Sequence, residues 1–175
     1  MTIVPSPSGA VSPLWHPFTQ HATAGPMIEI VGAEGVWLQG AQDQRILDAI
    51  SSWWVITHGH RHPAIAAAVA RQARTLDQVI FAGFTHPPAE ELARKLLELV
   101  PSRPDADPLE FVFLSDSGST AVEVGLKMAV GYWHNTKRPR HRVVAFEDGY
   151  HGDTFGAMSV GARGVFTSPY QPMLF

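Results

Sequence analysis

A strand–turn–helix–strand pattern between residues 110 and 146 constrains the fold most. The run Glu110–Leu114 is short and apolar, as expected of a buried strand. A turn of small residues follows it, and residues 120–134 then predict a helix that is apolar on almost every face and therefore buried. A second apolar run at 142–146 completes a βαβ unit. Because such a unit requires a parallel sheet covered by helices, the chain is predicted to belong to the α/β class.

A different pattern precedes this unit. Residues 27–38 hold two β-type runs around Gly32–Gly35, which predicts an antiparallel hairpin, and residues 46–50 predict a third short strand or turn. Residues rich in Pro and Ser at the start predict a loose tail. The predicted organisation is a tail at 1–13, a segment with short antiparallel strands at 14–60, and the first part of a large α/β domain at 61–175.

Two helices that begin at prolines are predicted between these regions. Pro63 suits a first helical position, and apolar residues at helical spacing follow it as far as Leu76. Pro87 and Pro88 begin a second helix with leucines on one face, which Pro101 ends. Both helices are predicted to be amphipathic.

Composition excludes several classes of protein. The hydrophobic share of 45% and the charged share of 17% are typical of a globular domain, and 175 residues suffice for a core. A net charge of -3 offers no basic surface for nucleic acid or an anionic membrane. The absence of cysteine excludes disulfides and thiolate metal sites. No apolar run approaches the roughly 20 residues of a membrane span, and no signal peptide is recognisable, so we expect a cytoplasmic protein.

The turn at Asp116–Thr120 is the first candidate site. It follows a predicted strand and begins a helix, where unpaired N–H groups and the positive end of the helix dipole favour an anion. Gly118 allows close approach to the backbone, and the hydroxyls of Ser119 and Thr120 can donate hydrogen bonds. The same residues also suit an ordinary helix N-cap, so a phosphate cradle and a plain cap are both open interpretations.

The loop Glu147–Thr154 is the second candidate site, since it follows a predicted strand of the same sheet. Ligands of open α/β sheets lie beyond the carboxyl ends of the strands. The ring of Tyr150 can lie against a flat ligand, and Asp153 can orient a neighbouring group. A surface turn with a packed tyrosine is the alternative interpretation.

The segment Ser51–Trp54 is the third candidate site. Adjacent tryptophans cannot easily share one core face, so we expect one of them to line a pocket or an interface. His58, His60 and His62 follow, but no metal site is predicted, because no carboxylate or other ligand set accompanies them. His62 before Pro63 is typical of the start of a helix.

Five segments then occur along the chain in a characteristic order: 14–20 (LWHPFTQ), 51–54 (SSWW), 85–86 (TH), 116–124 (DSGSTAVEV) and 149–159 (GYHGDTFGAMS). Together they resemble the class III aminotransferases of pyridoxal-phosphate (PLP) fold type I, from about residue 14 to about residue 161. The last two segments are shared across the class. The first two are more specific to the biotin-pathway aminotransferases.

This resemblance implies PLP as the cofactor and a homodimer with composite active sites. It implies that Gly118 and Ser119 bind the PLP phosphate, that Tyr150 stacks on the pyridine ring, and that Asp153 is the acidic residue beside that tyrosine. It implies that Trp53 and Phe18 line the substrate pocket, together with Tyr150.

The resemblance also implies a reaction, the transfer of an amino group to 8-amino-7-oxononanoate to give 7,8-diaminononanoate, with S-adenosylmethionine as the donor. Phe18 stands where many members carry Tyr, so lysine stays open as an alternative donor. Another class III aminotransferase with a different ω-amino substrate and a non-catalytic chain are the competing hypotheses.

The lysine and the carboxylate that such an enzyme needs for catalysis are expected further along than Phe175. The lysines of this chain are Lys95, Lys127 and Lys137, and none occupies the position that the resemblance requires. Residues 168–175 are expected to form a loop rather than a closing helix or strand. We therefore expect the first part of a PLP transferase of fold type I, inactive by itself.

Overall fold

A computed structural model describes residues 12–101 and 104–175. It divides into two compact units, one ending at Phe84 and the other beginning at Thr85. The tail predicted at residues 1–13 falls almost entirely outside the described residues, and the domain boundaries predicted near residues 14 and 61 stay predictions. None of the helices in the described ranges is long and apolar enough to cross a membrane.

The first unit contains a three-stranded antiparallel sheet. Its strands, in order across the sheet, are β1 (Ile30–Glu34), β2 (Trp37–Gly40) and β3 (Arg45–Leu47). Leu38 lies opposite Ala33 in one neighbouring strand and opposite Ile46 in the other. The chain reverses at Gly35, whose φ of 56° is readily adopted by glycine. The predicted hairpin and third strand are confirmed.

The segment Ser51–Trp54 forms a single helical turn, α1, of left-handed sense, which we call the left-handed turn. Its four residues have φ angles of 50°, 45°, 64° and 71°. The ψ angles of Ser52 and Trp53, 54° and 46°, are also those of a left-handed helix. This conformation costs L residues roughly 1–2 kcal/mol each, so a run of four needs support from the surrounding chain. Nothing in these residue types predicts it.

Three longer helices begin where the sequence predicts. They are α2 (Pro63–Thr75) in the first unit, and α3 (Pro87–Leu99) and α4 (Gly118–Asn135) in the second. At the start of α3, the imidazole of His86 accepts a hydrogen bond from the N–H of Ala89 at 3.4 Å. Two short elements follow, α5 (Phe155–Ser159) and a 3₁₀ helix (Ser168–Met173) within the segment expected to be a loop.

The two strands predicted at 110–114 and 142–146 are not formed. In the part of the chain that the structure describes, both segments lie outside helices and strands, so the predicted parallel βαβ ladder is absent. The side chain of Phe111 is 89% exposed, and that of Phe146 is similarly exposed. A strand is held by backbone hydrogen bonds to a neighbour, and no described segment lies in register beside either run.

The prediction that the apolar helix α4 is buried is also wrong. No residue of α4 is buried, and its packing partner among the described elements is α5. The buried apolar side chains of the described residues are Ala157, Met158 and Val160, which lie on α5 or immediately after it. A helix that is apolar all round is buried only where other elements cover each face, and here one face is covered.

Candidate cofactor and substrate sites

The N-terminus of α4 is closed by a reciprocal cap. The Ser117 hydroxyl accepts the N–H of Thr120 at 3.2 Å, and the Thr120 hydroxyl accepts the N–H of Ser117 at 3.0 Å. The proton of the Thr120 hydroxyl goes to the Ser117 carbonyl, so this hydroxyl belongs to the cap and is not available to a ligand, contrary to expectation. Among the described residues, the N–H groups of Gly118 and Ser119 donate to no protein acceptor.

Open space adjoins Gly118. A Cβ atom added to Gly118 would meet no other atom within 4 Å. The helix has 18 residues, so the partial positive charge of its dipole is concentrated at this end. The cap and the free N–H groups therefore coexist, and the two interpretations of this turn are not exclusive: Thr120 and Ser117 form the cap, while the N–H groups of Gly118 and Ser119 stay without a protein acceptor among the described residues.

The loop at Tyr150–Asp153 lies against this end of α4. The N–H of Asp153 donates to the Ser119 hydroxyl oxygen at 3.0 Å, across 34 residues of sequence. A Cβ on Gly152 would lie 2.7 Å from the Cα of Ser119, and the φ of Gly152 is 121°, so only glycine fits here. Because a hydroxyl can accept and donate together, Ser119 keeps its own proton for a further acceptor.

The phenol of Tyr150 is oriented by Asp153. Its hydroxyl donates to Asp153 Oδ2 at 3.0 Å. This hydrogen bond, with smaller contributions from desolvation and from the negative charge of Asp153, raises the pKa of Tyr150 above its ordinary value. The side chain is 74% exposed. The phenol is thus held protonated and fixed in direction, while much of the ring stays accessible.

Glu123 anchors the same loop from one turn further along α4, and the sequence reasoning missed it. Its Oε1 accepts the N–H of Gly156 at 2.7 Å, at the start of α5. The Thr154 hydroxyl and then the N–H groups of Gly156 and Ala157 lower the pKa of the Glu123 carboxyl. A lone carboxylate within an otherwise apolar helix was the available sequence signal.

Phe18 and Trp53 come together in the first unit. Their rings stack with centroids 5.4 Å apart and planes 14° from parallel. Both side chains are exposed, Phe18 by 87% and Trp53 by 60%, and Trp54 is exposed as well. The Phe18–Trp53 pair presents a flat aromatic face, and the expectation that one tryptophan lines a pocket or an interface stays a prediction.

Asp48 supports the left-handed turn, and it too was missed. Its Oδ1 accepts the N–H of Ser52 at 2.8 Å, and its Oδ2 accepts the Ser52 hydroxyl at 2.7 Å. The Nε2 of His60 lies 2.7 Å from the same Oδ2. The Ser52 backbone and side chain and then His60 lower the pKa of Asp48 from 3.8 to about 2. The two oxygens of this carboxylate thereby make three contacts.

The remaining histidines of this segment do not form a metal site. The rings of His58 and His62 meet edge to face with centroids 6.3 Å apart. Within residues 12–101 and 104–175, no three His, Cys, Asp or Glu side chains are grouped in a way that could hold a metal ion.

The three lysines lie away from these contacts. Lys95 pairs with Glu91 at 2.6 Å on α3. Lys127 follows Ser119 by two helical turns, about 12 Å along the axis of α4. Lys137 lies in the turn after α4 with a φ of 58°.

The six predicted site residues fall into two groups. Gly118, Ser119, Tyr150 and Asp153 lie in the second unit, and Phe18 and Trp53 lie in the first.

Comparison with known proteins gives a consistent result. Residues 19–174 match the family model described as aminotransferase class-III. The adenosylmethionine-8-amino-7-oxononanoate aminotransferase of Synechococcus elongatus is 52% identical over 162 residues, which cover 93% of this chain and 37% of that protein. The enzyme of the same name from a Buchnera aphidicola strain is 42% identical over 84% of the chain and 33% of its own length. The chain thus spans about a third of the length of these relatives.

Solved structures agree with the sequence relatives. The adenosylmethionine-8-amino-7-oxononanoate aminotransferase of Methanocaldococcus jannaschii superposes with a TM-score of 0.81 at 34% identity, over 93% of this chain and 36% of that one. A PLP-bound amine transaminase from an uncultivated Pseudomonas species gives 0.75 at 32% identity, over 90% and 35%. The predicted α/β fold of PLP-dependent transaminases is confirmed, for the part that this chain spans. The chain belongs to the class III aminotransferase family.

Proposed function

We propose that this chain is the N-terminal part of a transaminase that transfers an amino group from S-adenosylmethionine to 8-amino-7-oxononanoate. The observation that carries the proposal is the joint arrangement of Ser119, Tyr150 and Asp153 at the start of α4, in a chain of this family. The sequence relatives are named as adenosylmethionine-8-amino-7-oxononanoate aminotransferases, which supports this acceptor and this donor. The complete enzyme acts in the cytoplasm as a homodimer.

The residues at the start of α4 fit PLP. The free N–H groups of Gly118 and Ser119, the remaining proton of the Ser119 hydroxyl and the open space beside Gly118 suit a phosphate group. The exposed ring of Tyr150 suits a planar pyridine. When bound, PLP supplies an electron sink for the reacting substrate. The chain's own part is to bind the phosphate, orient the ring and, through Asp153, hold the phenol of Tyr150 in one direction.

Phe18 and Trp53 form a wall of the proposed substrate pocket. An aromatic face suits the aliphatic chain of 8-amino-7-oxononanoate, because burial of methylene groups favours binding without requiring polar partners. Phe18 lacks the hydroxyl that tyrosine would carry, so the wall offers one hydrogen bond fewer to a polar donor. That difference is worth about 0.5–1.5 kcal/mol and bears on donor preference rather than on the reaction class.

The test uses a full-length protein that carries this chain. It is assayed for 7,8-diaminononanoate with S-adenosylmethionine and with lysine as donors, as wild type and as Phe18→Tyr. We expect turnover with S-adenosylmethionine, and a change of up to about tenfold in the ratio of kcat/KM for the two donors in the variant. Turnover of other ω-amino substrates alone would replace the proposal with the ω-transaminase alternative. An unchanged ratio would remove Phe18 from donor choice.

A further inference from the structure

The left-handed turn needs other contacts to stabilise its backbone conformation. Four consecutive residues without a glycine have positive φ, a conformation that L residues adopt singly and rarely in runs. Backbone strain of this kind persists where the surrounding structure over-determines it. The turn carries Trp53, whose ring stacks on Phe18 although both are largely exposed. Because no buried core holds these rings, the backbone of the turn sets their position.

The support runs through Asp48. Its carboxylate binds both the backbone N–H and the hydroxyl of Ser52, the second residue of the turn. The side chain of Asp48 itself is only 5% exposed. Three bonds to two oxygens leave the carboxylate little freedom to rotate.

His60 connects Asp48 to the sheet. Its Nε2 contacts Asp48 Oδ2, while its backbone pairs with Gly35 at the β1–β2 reversal, with N–H to O distances of 2.7 Å and 3.2 Å. A continuous path of hydrogen bonds thus links the sheet, His60, Asp48 and the left-handed turn. The residue types resemble a hydrolytic triad, but the Ser52 hydroxyl donates to Asp48 and not to His60, so His60 does not receive its proton.

We propose that Asp48 is a positioning residue that holds the left-handed turn, and with it the Trp53 ring, in the conformation that forms the substrate wall. The part that concerns substrate rests on the proposed function. The part that concerns the turn does not, since it depends only on the chain's own contacts.

The test compares four variants of the full-length protein with wild type, and each of these five proteins is also made with Trp54→Phe for the dichroism measurement. Asp48→Asn removes the charged acceptor. Ser51→Gly makes positive φ easy at a residue whose side chain does not contact Asp48, so it favours the left-handed turn independently. The double variant combines them. Asp43→Asn removes a carboxylate of the same unit that makes no hydrogen bond to Ser52 or His60, and serves as the matched control.

Two readouts are measured. The first is the exciton signal of the Trp53–Trp54 ring pair, 6.1 Å apart, in circular dichroism, defined as the part of the spectrum that Trp54→Phe removes. The second is the KM for 8-amino-7-oxononanoate. We expect Asp48→Asn to lose most of the signal and to raise KM about tenfold, with kcat changed less than about twofold. Ser51→Gly in the Asp48→Asn background should restore at least about half of both.

The contrary outcomes are equally defined. An Asp48→Asn protein with the wild-type signal and KM overturns the proposal. A Ser51→Gly substitution that restores neither readout in the Asp48→Asn background also overturns it. An Asp43→Asn protein that behaves as Asp48→Asn does has the same consequence. Both results would indicate a general loss of stability rather than a role in positioning. A wild type without any Trp54-dependent signal shows that the rings are not fixed. A wild type without activity refutes the proposed function alone, and the dichroism still decides the role of Asp48.

Discussion

Ser119 fastens the Tyr150 loop to α4 with its hydroxyl. The oxygen accepts the N–H of Asp153, while among the described residues the hydroxyl proton goes to no protein acceptor. In the proposed cofactor site the same side chain would also bind the phosphate, and its charge-assisted hydrogen bond to that group would be the stronger of the two.

Ser119→Ala should therefore weaken PLP binding by the full-length protein about ten- to a hundredfold, from the loss of roughly 1.5–3 kcal/mol. The measurement is a titration of the apoprotein with PLP. Ser159→Ala is the control, since it removes a hydroxyl of the same unit that donates to the Phe155 carbonyl. Equal cofactor affinity in wild type and Ser119→Ala would exclude Ser119 from the cradle.

Substitution by alanine should affect the free energy of unfolding differently at the two glycines of this site. Gly152→Ala places a methyl group 2.6 Å from the Cβ of Ser119, at a φ of 121°, and should lower the free energy of unfolding by about 1–3 kcal/mol. Gly118→Ala meets no atom within 4 Å and should change it by less than about 0.5 kcal/mol. It should still weaken PLP binding, because the methyl group fills the space beside the free N–H groups. Denaturant unfolding and PLP titration of both variants would show this contrast, and identical behaviour would contradict it.

At the scale of elements, the carboxylate of Asp48 links the left-handed turn α1 to His60, whose backbone pairs with the sheet at Gly35. The pKa of Asp48 is lowered to about 2 in the folded chain from an ordinary value of 3.8. The folded state therefore binds the proton less tightly than the unfolded state does. By linkage, the stabilisation from this carboxylate is fully present above pH 3.8 and is lost as the pH falls through about 2.

The expected result is a decrease in the free energy of unfolding of the wild type between about pH 4 and pH 2 that is less steep in Asp48→Asn. Denaturant titrations at several pH values in this window measure it. Asp43→Asn controls for the general effect of removing one carboxylate from the same unit. If the free energy of unfolding depends on pH in the same way in wild type and in Asp48→Asn, the contacts of Asp48 with Ser52 and His60 contribute no pH-dependent stability.

At the scale of the whole molecule, the chain holds the proposed phosphate site and one substrate wall but no lysine suited to PLP. Lys95 is paired with Glu91, Lys127 lies two turns along α4 from Ser119, and Lys137 lies in the turn after that helix. Since covalent PLP chemistry needs a lysine directed at the cofactor aldehyde, we expect none of the three to form the covalent bond with PLP.

The 175-residue chain, incubated with PLP and reduced with borohydride, should therefore show no lysine labelled stoichiometrically. Peptide mapping by mass spectrometry after digestion gives the extent of labelling at each of the three lysines. Weak, scattered labelling is expected, because exposed amines react slowly with aldehydes. One lysine labelled to completion, accompanied by turnover, would contradict this prediction.

Local patterns in the sequence determined the local elements. Pro63 and Pro87 mark the starts of α2 and α3, and the alternation around Gly35 marks the hairpin, because proline geometry and side-chain periodicity act within a few residues. The start of α4 and the grouping of Ser119, Tyr150 and Asp153 likewise follow from motifs, together with the family resemblance.

The tertiary structure alone decided the rest. The apolar runs at 110–114 and 142–146 did not become strands, because a strand depends on a partner that its own residues do not supply. The left-handed turn depends on Asp48 and His60, which lies twelve residues beyond Asp48, and so no local propensity encodes it. Local sequence patterns do not encode the energies of contacts between segments that are distant in the chain. Those contacts determine which side chains of a motif are free to bind a ligand and which make hydrogen bonds within the protein.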